Sequence, residues 1–164
     1  MKKKGGITVF LTLMLTVLAS FVTVLSQTAQ RYVCKSEAVY AMDCAIVSCF
    51  GEYNRELFDR FGILLIDSSY KTDEGGIDRV RDHFSMYLSE SLTANELVDV
   101  TVSDCSDRSV LPDEEIVRYM RDSGSPGFDP DNCFSHLSFT ATLRSSATGD
   151  YTITREYSHA TEEE

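Results

Sequence analysis

The chain has 164 residues and a formal net charge of −11, a length that suits one domain with appendages rather than two. The charge is uneven: residues 1–30 carry three lysines and no acid, whereas the other 134 carry 12 basic and 26 acidic side chains, a net of −14. So acidic a body argues against nucleic acid and anionic headgroups as partners, since both need Lys and Arg; 43% hydrophobic and 10% aromatic residues argue against general disorder.

The first element is the clearest. Between Lys4 and Arg31 lie 26 residues without a charge, and the 19 from Ile7 to Leu25 are aliphatic, Phe, Met, Ala, Ser or Thr. At about 1.5 Å per residue that run matches a hydrocarbon core of about 30 Å. Residues 1–6 read as a basic leader and 7–30 as a transmembrane helix. Lys2, Lys3 and Lys4 place the amino end in the cytoplasm, and the rest of the chain outside the cell membrane, as a single-pass protein. The competing reading is a secretory signal peptide cut near Val17-Leu18-Ala19, but the apolar run continues past that point to Leu25. Within the span, Thr8, Thr12, Thr16 and Ser20 recur every four residues. Such a stripe suits helix packing, with another copy or another membrane subunit; the plain alternative is that each hydroxyl bonds its own i−4 carbonyl.

No Pro or Gly interrupts residues 7–50. Val39, Met42, Ile46, Phe50, Tyr53, Leu57 and Phe61 then follow at spacings of three and four. Residues 31–61 therefore read as an amphipathic continuation, one helix from about residue 7 to about residue 60 that Gly51 bends. Pairs of Glu52 with Arg55, Arg55 with Asp59 and Glu56 with Arg60 would line its wet side.

Residues 62–159 read as a small α+β domain with an antiparallel sheet, and 160–164 as an acidic tail. Ile63-Leu64-Leu65-Ile66 suits a buried strand, Ile77–Leu92 a helix with Ile77, Val80, Phe84, Leu88 and Leu92 inward, and Val98, Val100 and Val102 a half-buried strand. Pro112 before Asp113-Glu114-Glu115 is a helix start, and Gly124 can end that helix. Alternation from Leu137 to Leu143 and from Tyr151 to Arg155, around Thr148-Gly149-Asp150, reads as a hairpin.

The leader Lys2-Lys3-Lys4-Gly5-Gly6 opening on Ile7-Thr8-Val9-Phe10-Leu11, with an apolar helix that runs into an amphipathic one, resembles type IV pilin-like proteins. It is most similar to the TadE/TadG-like group of the tight-adherence (Flp) pilus system and to an uncharacterised Gram-positive relative with a segment like Glu52–Gly62. The resemblance covers roughly residues 3–70. It implies a pilin-like fold, a structural or assembly role in a pilus or related export machine, and pilus-machine membrane subunits as partners. It also implies leader cleavage beside Gly5, Gly6 or Ile7. One residue departs from the pattern: a cut after Gly6 puts Leu11, and a cut after Gly5 puts Phe10, where mature pilins usually carry Glu. An uncleaved accessory protein fits the residues at least as well as a major pilin.

Five cysteines, Cys34, Cys44, Cys49, Cys105 and Cys133, follow the span; helix geometry keeps the first three apart, which leaves Cys105–Cys133 as the most economical disulfide. No C-x-x-C or suitably spaced His suggests a metal, no motif suggests a cofactor, and Asp129, Asp131 and Asn132 read as a turn. His83, His136 and His159 stand alone, with His83 on the surface of its helix, and no nucleophile–base constellation is nameable, so the expectation is no enzyme. The alternative to a pilus role is a membrane-anchored extracellular binding or sensory module.

Overall fold

A computed structural model of the protein describes residues 4–69, 75–106, 112–123 and 128–158. Helix α1 (Lys4–Phe50) is 47 residues long, about 70 Å at 1.5 Å per residue. Its amino-terminal half projects alone, and its carboxy-terminal half is built into an α+β domain. The domain contains α2 (Arg55–Phe61), β1 (Ile66–Asp67), α3 (Ile77–Ser91), β2 (Glu96–Asp104), α4 (Glu114–Ser123), a 3-10 turn (Pro130–Asn132), β3 (Cys133–Phe134), β4 (His136–Ser145) and β5 (Gly149–Ser158).

The expected single helix to residue 60 is interrupted. Gly51 is a weak helix former, and beyond it the chain finds other partners: Tyr53 bridges Ile66, the Asn54 N–H donates to Leu65 O, and the Asn54 side chain accepts from Leu57 N to start α2 afresh. Gly62 ends α2 at φ +68°, a left-handed cap that non-glycine residues resist. The outward pairs Arg55–Asp59 and Glu56–Arg60 form at 3.4 and 3.5 Å, while Glu52 turns towards α3. The run from Ile63 is likewise shorter as a strand than its composition suggests. Leu65 and Ile66 are buried, but only Ile66–Asp67 pairs, with Cys133–Phe134.

The main sheet is antiparallel in the order β2-β4-β5. Alternation in β4 sends Leu137, Phe139, Ala141 and Leu143 to one face, all fully buried. Val80, Phe84 and Leu88 of α3 and Met42, Ile46, Cys49 and Phe50 of α1 close over that face; Ile77 and Leu92 pack at its margin. Phe139 sits at the centre, its ring 4.8 Å from that of Phe84 and 6.3 Å from that of Phe50. The β2 pattern differs from expectation at one end. A bulge between Leu97 and Asp99 rotates Val98 outward, where it is exposed, and Leu97 packs in its place. The opposite face is polar, with Thr140–Thr154 and Thr142–Thr152 as cross-strand pairs and Arg144 bidentate on Asp150. Gly149, at φ +72°, turns the predicted hairpin.

A smaller cluster of Leu57, Leu65, Met120, Phe128 and Cys133 joins α2 to α4. Helix α4 begins at Glu114, with Pro112 just before it and Val117 N donating to Asp113 O; Gly124, His159 and the 160–164 tail lie outside the described residues, as do Lys2 and Lys3.

The expected Cys105–Cys133 disulfide is not formed: all five cysteines are free. Cys105 follows β2 in the open, bonded through its N–H to His136 O, whereas Cys133 is held in the smaller cluster and paired across to Asp67. The two strands therefore carry these thiols to different surroundings.

Candidate functional site

Among the described residues, none of the domain packs on the first half of α1. Every residue from Gly6 to Val33 is exposed, including Phe10, Leu11, Leu15, Leu18 and Phe21 at 63–67%. A helix that exposes this much apolar surface in water is strongly disfavoured, at about 25 cal/mol per Å². It is long and apolar enough to cross a membrane. Gly5, Gly6 and Ile7 are helical and continuous with it.

The Thr and Ser hydroxyls along this helix adopt the plain alternative, each bonding its own i−4 carbonyl. Thr12 Oγ1 donates to Thr8 O at 2.6 Å, Thr16 to Thr12 O at 2.7 Å and Ser20 to Thr16 O at 2.8 Å. Thr23 and Thr28 repeat the pattern with Ala19 O and Val24 O. The donors are thus satisfied within one helix, and what the stripe offers a neighbour is small size and remaining acceptor capacity.

Where α1 meets the domain, polar residues fix it. The Glu37 carboxylate accepts from Thr93 N at 2.6 Å, Thr93 Oγ1 at 2.8 Å, Ala94 N at 3.0 Å and Asn95 Nδ2 at 3.2 Å. Desolvation opposes its charge, but these hydrogen bonds prevail and hold the carboxyl below its ordinary pKa. Asn95 completes the clamp, donating to Cys34 O and accepting from the Tyr151 hydroxyl. Arg31 Nε donates to Ala147 O in the β4–β5 turn, and Arg155 reaches Asp43 at 3.3 Å. At the far end, Glu52 accepts from the Tyr87 hydroxyl at 2.5 Å and lies 3.0 Å from His83 Nδ1. That contact, with Glu52's charge and burial adding to it, pushes the Tyr87 pKa up to about 12. His83 is therefore half-buried and engaged, not a plain surface residue.

The spacing of Val39, Met42 and Ile46 reveals the buried side of α1, but Glu37, Asn95 and Glu52 carry no local signal. Their partners are 31–61 residues away, on α3, on the α3–β2 connection and, for Asn95, on α1 and β5. Comparison with family models, curated proteins and solved structures finds no match.

Other groups in the domain take structural positions. Asp129 caps the 3-10 turn, accepting from Asp131 N and Asn132 Nδ2. Gly75 packs where a side chain would collide with Asn132, and Gly76 N donates to Ser68 Oγ. Burial, with the Glu52 charge, raises the Cys49 pKa to about 12; burial, with Asp67 and Asp129, raises that of Cys133. Such thiols are poor nucleophiles. An open cleft of about 600 Å³ beside the hairpin turn is lined by Thr93, Asn95, Glu96, Arg144 and Asp150, with Arg144 already neutralised by Asp150. Among the described residues, no group of three or more His, Cys, Asp or Glu side chains is placed to hold a metal.

Proposed function

We propose that the protein is a non-catalytic, single-pass membrane subunit, pilin-like or accessory, with a structural or assembly role in a tight-adherence-type pilus or a related export machine. The observation that carries this reading is one continuous helix with an uncovered apolar half and a half clamped into an α+β domain. The apolar half anchors and packs in the membrane; the clamp makes the domain follow the helix as a rigid body. The three lysines orient the domain to the outside.

Two measurements test the reading. Protein isolated from membranes should begin at Met1, Gly6 or Ile7; a start near Ser20 or Gln27 would mean the span is discarded and the protein secreted. Deletion of the chain from its native host should abolish or shorten surface filaments, or block the export step, and restoration should rescue it. Normal filaments and export in the deletion strain would remove the pilus role and leave an anchored binding or sensory module.

A further inference from the structure

We infer that the free edge of β5 receives an extended segment of a different protein, one that alternates apolar with basic or hydroxylic side chains, as a fourth strand of the main sheet. Among the described residues the sheet ends at β5, which pairs with β4 over ten consecutive residues without a shift of register. Every second residue of such a strand turns its N–H and C=O away from the sheet, where another chain can take them up. The opposite edge is guarded: β2 carries a bulge between Leu97 and Asp99 and the exposed charges of Glu96, Asp99 and Asp104. β5 has no bulge, Pro or Lys, and its one Arg, Arg155, is drawn onto Asp43 of α1. Natural sheets rarely leave so long and regular an edge bare.

Helix α1 supplies a wall beside that edge. Contacts of Arg31 with Ala147, Lys35 with the Tyr151 ring, Asp43 with Arg155 and Phe50 with Tyr157 follow in step, so β5 climbs alongside α1 from Arg31 to Phe50. Asp43 stands at the margin of the buried side of α1, and Val47 and Tyr40 lie about 40° and 60° further round, towards solvent. They are 60 and 73% exposed. A strand added about 4.8 Å beyond β5 sends alternate side chains towards this flank of α1 and the others onto the outer face. The first set meets Tyr40, Val47 and the half-buried Ile153, and is apolar. The second meets Thr152, Thr154 and Glu156, on a face that also carries Glu96 and Asp99, and is hydroxylic or basic.

A second copy does not fit this edge, a step that rests on the membrane-span reading above. β5 runs along α1, away from the membrane, so antiparallel pairing with its own equivalent turns one copy upside down. A two-fold axis that keeps both copies upright turns one sheet over, and facing residues then send their side chains to opposite sides. Upright copies side by side present the bulged edge of β2, whose Glu96, Asp99 and Asp104 repeat the sign of Asp150 and Glu156.

Hydrogen exchange, read amide by amide on the full-length protein in detergent micelles, tests the edge. The probe is a capped synthetic peptide, Thr-Val-Lys-Val-Thr-Val-Lys-Val-Thr. The expected result is that alternate amides of Gly149–Ser158 exchange at least about fivefold more slowly with peptide, while those of Glu96–Asp104 are unchanged. N-methylation at every second residue removes the N–H groups along one edge of the peptide, so one of the two peptides made this way should lose binding and the other keep it. Tyr40→Ser with Val47→Ser, and separately Glu156→Lys, should each weaken binding at least about threefold. No slowing in β5, equal slowing in β2, or loss of binding by both methylated peptides overturns the inference. Slow exchange of every β5 amide before peptide is added also overturns it: protection that grows with protein concentration would assign the edge to a second copy, and protection that does not would assign it to the rest of the chain. Recovery of the protein in the soluble fraction would overturn the membrane-span reading, and the exchange pattern judges the edge in either fraction.

Discussion

Glu37 illustrates how one side chain can set the geometry of the whole molecule. Its carboxylate gathers the first backbone N–H groups after α3 and the Thr93 hydroxyl, so the α3–β2 connection is tied to α1. Because its folded pKa is lowered, the stabilisation is fully present above the ordinary glutamate value and is lost as pH falls through the folded one. Glu37→Gln should therefore destabilise the domain by about 0.5–1 kcal/mol at neutral pH, after allowance for solvent screening, and the difference from wild type should narrow as pH falls below the ordinary glutamate range. Chemical unfolding of both proteins across that range checks it; a gap that persists in acid would show that the carboxylate charge is immaterial. The thiols give a second residue-scale prediction. Cys105 should react with a water-soluble thiol reagent in the native protein, whereas Cys49 and Cys133, buried and with raised pKa values, should react only on unfolding. Mass spectrometry of the labelled chain decides it, and native labelling of Cys133 would mean that the smaller cluster opens.

Among the elements, those whose signal lies in their own side chains were legible in the sequence. Val80, Phe84 and Leu88 fall on one side of α3, and Leu137, Phe139, Ala141 and Leu143 alternate through β4, because both elements bury one face against a single core. The interruption after Phe50 was not legible. The apolar spacing runs on through Tyr53 and Leu57, but Asn54 can cap a helix and Tyr53 can pair with a strand, and those tertiary bonds outweigh continuity of the pattern. Val98 shows the same limit, since a bulge moves it without altering the alternation of the letters. The clamp residues were invisible for a related reason: hydrogen bonds between distant segments leave no periodic trace. Gly62 tests the restart of the chain after Phe50. Gly62→Ala forces a side chain into φ +68° with open space around it, so the cost is conformational, about 1 kcal/mol, and should appear as a lower unfolding midpoint with an unchanged fold. An unaltered midpoint would mean that the α2 cap contributes nothing to stability.

At the scale of the whole molecule, if the apolar half of α1 spans a membrane as proposed, the clamp constrains where the domain can sit relative to it. Arg31 follows Leu25 by six residues, about 9 Å of helix, and it holds Ala147 of the β4–β5 turn. The polar layer on each side of the hydrocarbon core is about 5–8 Å deep, so the turn at Ser146–Thr148 should rest at the headgroup level. Phe50 lies about 38 Å beyond Leu25 by the same rise, which carries α2 well into the aqueous phase. A fluorophore on Thr148→Cys should accordingly be quenched by lipids labelled at the headgroup, whereas one on Arg55→Cys should not, both with Cys34, Cys44 and Cys105 replaced by Ser and the protein reconstituted in vesicles. Glu37→Gln combined with Asn95→Ala should reduce the contrast, because without the clamp the turn is free to leave the helix. Equal quenching at the two sites in the intact protein would mean that the domain lies down on the membrane, and the rigid transmission from span to domain would fail with it.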